Sequence, residues 1–476
     1  MGVCSVLEMR LKTEPWQESL IDKKMECARA VYNATLSEAM KNYNRIINTR
    51  EWQDDQKKVR AFYSGRKAGE KIPQEIKDIF NKRQKQYQEA LLTKFGIAKI
   101  AQKHARYYNK NVSSNMASVG IGAPVWSSID KFLYGDGKKV KYKRPGELNS
   151  LASNGKSGIL LKQDEKGYYL YLSNQKAKAK PLKVYLYDTR TDYDRDMISR
   201  KILIVRLVRK AYENGYKYYV QLTVDGAPYE RTDERGEPLC KRGEGKVGLV
   251  IDGNNVYAVS DKESRMFKLD ENFKEYEKAM EEIEARIEYL RRLNNPNNYE
   301  ENGMIKRGRL TWNKSCEYKR VAKEKKEMTR KRRETLAITQ NVVIKEILEM
   351  GNDIYVEKKS YRTKKENYDP EKSDAEYSVK KIRRKKIQNF APATFLDKLK
   401  TKLGDRGALT EISGFKEYFY YCCDSGKVEE EKFKNNKVTL NGRSYNAFYY
   451  RAVMLKNMEN KKLDVEGVKK DLSVIG

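Results

Sequence analysis

Residues 247–261 read VGLVIDGNNVYAVSD, two runs of β-branched and apolar residues on either side of a turn at Gly253 to Asn255. Such residues suit a pleated, half-buried surface, and a turn this short makes the runs antiparallel partners in a hairpin. Downstream, Phe273, Tyr276, Met280, Ile283, Ile287 and Leu290 recur in steps of three and four, the spacing of one helix face, until Pro296 stops it. A second helix over roughly 314–350 opens with Lys319, Arg320, Lys323, Lys325, Lys326, Arg330, Lys331, Arg332 and Arg333. It closes with Ile338, Val342, Val343, Ile347 and Leu348, so its first half suits a polyanion and its second a core. Gly351 ends it and DIYVEKKSY, residues 353–361, reads as a further strand. Hairpin, helices and strand predict a mixed α/β domain over residues 246–476.

Working back toward the N-terminus, residues 3–12 read as a strand (1–14 as a unit), and Pro15 opens a helix carrying Leu20, Met25, Cys27, Ala28, Val31, Leu36 and Met40. A charged, periodic stretch with a break at Pro73 extends this into a helical domain over 15–117. From about Gly120, the runs GIGAPVW, YGDGKKVKYKRPG, KGYYLYLS, KVYLYD, KILIVRLVRK and KYYVQLTV predict a β-rich barrel or open sheet over 118–232. A polar, glycine-containing linker at 233–245 follows.

Lys and Arg number 99 against 67 Asp and Glu, a net charge of +32 that calls for a polyanionic partner. No apolar run approaches the roughly 18 residues of a membrane helix, and MGVCSVLEMRLK is too polar for a signal peptide, which favours nucleic acid over lipid and a cytoplasmic, nucleoid-associated place in a bacterium. The six cysteines, with only Cys422 and Cys423 close together, make no C-x-x-C pair and no disulfide framework. The one histidine, His104, sits in a basic helix and leaves little room for histidine catalysis. Tyr outnumbers Phe 34 to 12, and tyrosine offers bases a stacking face and phosphates a hydroxyl.

Phosphodiester cleavage without histidine commonly uses two divalent ions held by carboxylates. Three stretches bear on that chemistry: VGLVIDGNNVYAVSD, IYVEKKSY and GRSYNAFYYRAVML (residues 442–455). They resemble the three acidic motifs of the RNase H-like (RuvC-like) domain of TnpB and the compact type V CRISPR effectors. The first motif of that family looks like G-I-D-x-G followed by N-x-x-x-V-S, and a gap-free match through Asn255, Val259 and Ser260 puts Val250 at the first carboxylate position. Asp252 is the rival, but it lies about 6.6 Å farther along the strand, against a ligand distance of about 2.1 Å. Glu357 matches the second acid, and Ser444 stands where the R-D-x-N-A-A motif has its aspartate, flanked by Arg443, Asn446 and Ala447. The zinc-binding insert of the family falls near 410–440, where EISGFKEYFYYCCDSGKVEEEKFKNN offers only two thiols. ARAVYNATL, with Arg29, Val31, Tyr32, Asn33 and Leu36, and GKKVKYKRPG, residues 137–146, extend the resemblance toward the N-terminus.

The resemblance implies a multidomain α/β protein: a wedge strand, a helical recognition domain, a β-rich wedge (OB-like) domain and the RuvC-like domain. It is closest to the nuclease-dead repressor branch of the family (TldR). It implies a guide RNA and a double-stranded target DNA with a short adjacent motif, no metal and no other cofactor, and competition with RNA polymerase at a promoter. An active RNA-guided metal-dependent nuclease, rebuilt around Asp252, Glu357 and an acid such as Asp424 or Asp464, is the second reading; a basic RNA-binding protein with no guide is the third. The expected nucleic-acid contacts are Arg10, Tyr32, Asn33, Lys138, Lys139, Lys141, Lys143 and Arg144, then Lys319, Arg320, Lys323, Lys326, Arg330 and Arg333, and Arg362, Lys364 and Lys365. Trp126 and Tyr142 are candidate base-stacking platforms.

Overall fold

Alternation along β1 (Cys4–Lys12) buries Leu7, Met9 and Leu11 and turns Val6, Glu8, Arg10 and Lys12 outward. The computed structural model that contains this strand describes every residue except 1–3, 67–69, 136, 138, 174–180, 189–190, 213–214, 228, 230–231, 234, 236–237, 239–241, 270–272, 360, 362–388, 460–461 and 473–476. Two units, Met1–Gly226 and Ala227–Gly476, make up the mixed α/β chain.

In the first unit, α1 (Pro15–Ile47) starts on its proline, whose missing N–H costs nothing at a helix start. It is followed by α2 (Arg50–Gly65), α3 (Gln74–Glu89, directly after Pro73) and α4 (Lys94–Ala105). Helix then continues where strand was expected: α5 (Ser114–Met116), a π-type turn over Ala117–Gly122 and α6 (Ala123–Leu133) contain all of GIGAPVW. The glycines there serve close packing, because a Cβ on Gly120 would lie 2.5 Å from the Ala152 carbonyl oxygen. No strand occurs among the described residues of 134–149.

The sheet of this unit comprises β1, β2 (Ser150–Ser153), β3 (Ile159–Asp164), β4 (Gly167–Leu172), β5 (Leu182–Leu186), β6 (Ile202–Tyr212) and β7 (Gly215–Asp225), in the order β2-β6-β7-β1-β5-β4-β3. Every pairing is antiparallel. Strand β1 joins its halves, pairing with β7 along Cys4–Arg10 and with β5 at Leu11 and Lys12. The sheet curls until Ser153, on β2, exchanges side-chain hydrogen bonds with the backbone of Ile159 on β3 (2.7 and 3.0 Å). A short helix, α7 (Asp192–Ser199), lies between β5 and β6.

The second unit is built on the hairpin β8 (Lys246–Asp252) and β9 (Asn255–Val259), with Gly253 at φ +60° opening the turn, a conformation that glycine adopts without strain. Strands β10 (Ser264–Lys268), β11 (Asp353–Glu357) and β12 (Ala408–Ile412) complete a five-stranded sheet ordered β10-β9-β8-β11-β12, in which β8, β11 and β12 run parallel. Between the hairpin and β11 come α8 (Lys274–Leu293) and α9 (Cys316–Met350). Ser315 caps α9, its hydroxyl accepting from the Tyr318 N–H (3.1 Å), and the Gly351 N–H closes it on the Ile347 carbonyl.

One face of the sheet (Val247, Leu249, Ile251, Ile354, Val356) packs into a core with the apolar half of α9 and the Pro392–Leu403 helix. The other face meets the Ala447–Lys456 helix, which contributes Tyr450, Ala452, Val453 and Leu455. No helix among the described residues is long and apolar enough to cross a membrane.

Candidate functional site

Strands β8 and β11, the first and fourth of the second unit's sheet, are hydrogen-bonded neighbours, and their register pairs Tyr355 with Gly248 and Val356 with Leu249. One step further, the same register sets Glu357 beside Val250, with Asp252 two residues beyond at the end of β8. Odd and even positions separate the two faces. Val250 and Tyr355 therefore lie on the side of the Ala447–Lys456 helix, partly buried against its core. The helix comes close because Gly248 has no side chain: a Cβ there would lie 1.8 Å from the Ala452 carbonyl oxygen.

Arg451, on this helix, is buried to 7% exposure in an otherwise apolar run. Its Nε donates to the Phe419 carbonyl (3.2 Å), and its guanidinium lies 3.4 Å from the centre of the Phe419 ring and within 6 Å of those of Tyr420, Phe433 and Phe448. Burial lowers the pKa of Arg451, while Tyr420, Asp252 and Glu357 oppose the shift electrostatically. Burial, then Glu357 and Glu411, push the Tyr361 hydroxyl up to about 12. Ser444 is exposed on β17 (Arg443–Asn446), which precedes the helix; the Asn446 side chain caps the helix by accepting from the Phe448 and Tyr449 N–H groups. Rebuilding the centre with Asp424 or Asp464 meets prior commitments: Asp424 accepts from the Asn441 and Ser425 N–H groups, and Asp464 from that of Gly467.

The 410–440 segment folds as two small antiparallel sheets, β13 (Tyr421–Cys422) with β14 (Lys427–Val428), and β15 (Phe433–Lys434) with β16 (Lys437–Leu440) and β17. Cys422 and Cys423 are buried among Phe415, Val438, Leu440 and Tyr450, and burial raises both thiol pKa values, that of Cys422 to about 11. Edge-on ring contacts (Tyr418 with Tyr421, Tyr420 with Phe433) link its parts.

In the first unit, Arg10 lies on an outward sheet face where cations and tyrosines interleave. Arg10 and Lys12 lie over Tyr187 (5.1 and 5.5 Å), Lys210 over Tyr219 (4.5 Å), Lys217 over Tyr212 (4.2 Å), Lys183 over Tyr169 (4.6 Å) and Lys162 over Tyr171 (4.1 Å). Cross-strand register carries the stripe from Tyr219 to Arg10 and from Lys12 through Tyr185 to Tyr169. Only Arg10 of this face was among the contacts expected from sequence. The signal for the others was the tyrosine at every second position of KGYYLYLS and KVYLYD, each accompanied by lysine.

The remaining expected contacts divide. Tyr32 is buried with its hydroxyl on Ser128 (3.3 Å), and Asn33 bonds both the N–H and the carbonyl of Lys143 (2.9 Å each), so these two side chains anchor the 139–146 segment. Lys143 lies over the Tyr32 ring (5.2 Å); Lys139, Lys141, Tyr142 and Arg144 are exposed, and Trp126 is half-buried. On α9, Lys319, Arg320, Lys323, Lys326 and Arg333 are exposed, whereas Arg330 is ion-paired with Glu327 and Glu334. Lys138, Arg362, Lys364 and Lys365 lie outside the described residues.

Residues 1–47 match the model of a helix-turn-helix domain, the IS605 OrfB type. The described part of that segment is one strand, β1, followed by the single long helix α1. No curated protein matches the chain. Two solved structures align along most of it: a CRISPR-Cas12f ternary complex, 11% identical with a TM-score of 0.27, over 97% of this chain and 99% of that one, and CasPhi-2 (Cas12j) bound to crRNA and phosphorothioate-DNA, 11% identical with a TM-score of 0.32, over 99% and 91%. Scores this low do not fix a shared fold.

Proposed function

We propose that this chain is an RNA-guided DNA-binding protein that does not cut its target and that represses transcription by occupying a promoter, in the manner of the nuclease-dead TnpB-like repressors. The observation that carries the reading is the strand register, which, continued one step past the Val356–Leu249 pair, sets an aliphatic side chain, Val250, next to Glu357. Two-metal chemistry needs several carboxylates converging on the ions, and Glu357 has no acidic neighbour on β8 at that position. The match of residues 1–47 to a domain of the TnpB family supports the family part of the reading. The interleaved cations and tyrosines of the first sheet suit an RNA backbone with unstacked bases, and the exposed cations of α9 suit phosphates. In this division of labour, base pairing supplies sequence and the protein supplies backbone contacts. A complex that stays on uncut DNA excludes polymerase by occupancy.

The test starts from the purified chain, whose bound RNA is sequenced, and continues with a target plasmid, matched or scrambled guide, and Mg²⁺ or Mn²⁺. A discrete small RNA, no linear product, and repression of a reporter only with the matched guide are expected. Linear plasmid that disappears on Glu357→Ala would overturn the non-cleaving reading. RNA mirroring the total cellular pool would favour an unguided RNA binder.

A further inference from the structure

We infer that Glu26, Arg29 and Asn33 of α1, with Arg209 of β6, are positioning residues that hold the chain over 139–149 in one course, and that the face so presented binds a single strand of RNA. The two N-terminal motifs thereby become one device: ARAVYNATL supplies Arg29 and Asn33, and GKKVKYKRPG is the strip they hold. The inference rests on the RNA-binding part of the proposed function and is indifferent to whether the target is cut.

The clamp is built on one face of α1, since positions 22, 26, 29 and 33 recur in steps of four and three. The Asn33 amide donates to the Lys143 carbonyl and accepts from the Lys143 N–H (2.9 Å each), and the Arg29 guanidinium donates to the same carbonyl (3.3 Å). A turn earlier, Glu26 accepts from the Gly146 N–H (2.8 Å) and from Arg29 Nε (2.7 Å). From the sheet, the buried Arg209 donates to the Gly146 and Leu148 carbonyls (3.3 and 3.2 Å) and to the Asn149 side chain (3.2 Å). Asp22 accepts from Arg209 (2.7 Å) and ties it back to α1. Side chains thus do for this stretch what a ladder does for a strand. A segment ordered in folding need not be ordered on binding, a step that otherwise subtracts from affinity.

The clamp engages the backbone from Lys143 onward and leaves the side chains before it free. Lys139, Lys141, Tyr142 and Arg144 are exposed, and none of these cations is ion-paired among the described residues. Tyr142 is 51% exposed and its ring meets no other ring or cation there, whereas the next residue, Lys143, turns back over Tyr32. Among the described residues no hydrogen bond engages the backbone of Lys139, Val140, Lys141 or Tyr142.

The cations suit phosphates, and the Tyr142 ring suits the face of an unstacked base, which a single strand offers and a duplex does not. The unpaired carbonyls of 139–142 can accept from 2′-hydroxyls, which DNA lacks. That set of groups favours RNA over DNA of the same sequence.

The full-length chain, stripped of co-purified nucleic acid, is titrated with oligouridine or oligodeoxyuridine under ultraviolet light, and cross-linked positions are read by mass spectrometry. A cross-link of oligouridine at Tyr142 is expected, half-saturating at a lower concentration than with oligodeoxyuridine. N33A and E26A, each checked by circular dichroism, should raise that concentration about fivefold or more, because a loosened strip must be ordered on binding. By filter binding, Y142A should weaken oligouridine about fivefold or more. In a K139A/K141A/Y142A/R144A background, adding N33A should change nothing further, which separates positioning of this strip from general damage to the fold.

Oligouridine that cross-links elsewhere but not at Tyr142 would overturn the strip and leave the RNA-binding reading standing. Equal half-saturation by oligodeoxyuridine would overturn the assignment to RNA, and wild-type behaviour of both N33A and E26A would overturn the clamp. A chain that binds no oligouridine at all would sink the RNA-binding reading together with the inference.

Discussion

Gly248 sits where any side chain would collide with the backbone of the helix behind it. Gly248→Ala must push the Ala447–Lys456 helix off the sheet or bend β8, and overpacking of this kind costs about 1–3 kcal/mol. We expect a midpoint several degrees lower in thermal unfolding; an unchanged midpoint would mean that the helix and sheet are not held in this contact. At this scale part of the centre was legible. Val250 and Glu357 follow from aligning motifs, and the strand register brings those two positions together. Arg451 was not found, although the sequence carried a signal for it: a lone cation inside AFYYRAVML, where burial demands a partner. Tyr32 and Asn33 show the converse, since their polar groups resemble ligand contacts in sequence but are spent within the chain, on the Ser128 hydroxyl and on the Lys143 backbone.

The 410–440 segment is held by rings and buried thiols. Its cysteines are raised in pKa by burial, so they are neutral thiols at physiological pH and poor nucleophiles. In the native protein at pH 8, a thiol reagent such as DTNB should modify the exposed Cys4 and Cys316 readily, and Cys422 and Cys423 only after denaturation. Rapid labelling of the vicinal pair would show that this packing is wrong.

The basic half of α9 allows a second test. Its capped start and its apolar second half, anchored in the sheet's core, hold Lys319, Arg320, Lys323 and Lys326 in a fixed array. Neutralising each should lower the slope of log affinity against log salt by about 0.7–0.9 if it meets a phosphate, with similar loss on all sequences. A slope that does not move would remove α9 from the interface. Element types were legible wherever periodicity was long, as in α1 and α9, or alternating, as in β6 and β7. GIGAPVW was misread because glycine signals a turn in isolation, whereas here it lets helix backbone lie against β2, a reason that exists only in three dimensions.

For the whole molecule, a net charge of +32 makes nucleic-acid affinity strongly salt-dependent, and raising salt from 50 to 200 mM should weaken binding by about 10³-fold or more if six or more phosphates are contacted. Filter binding across that range measures it, and a flat response would remove electrostatics as the main source of affinity. Composition thus pointed to the class of partner, while the tyrosine-lined sheet face required the register to be known, because its residues come from strands far apart in sequence. That separation has a further consequence in time. Strand β1 leaves the ribosome before the other strands of its sheet, yet most of its hydrogen-bonding partners are in β7, residues 215–225. At about 5–20 residues per second, β1 waits on the order of ten seconds or more before its sheet can form. Until then Arg10 and Lys12 have no neighbouring Tyr219 or Tyr187, so the stripe does not exist on a nascent chain, and a stall anywhere before β7 leaves a ribosome bearing an unpaired strand that chaperones must cover.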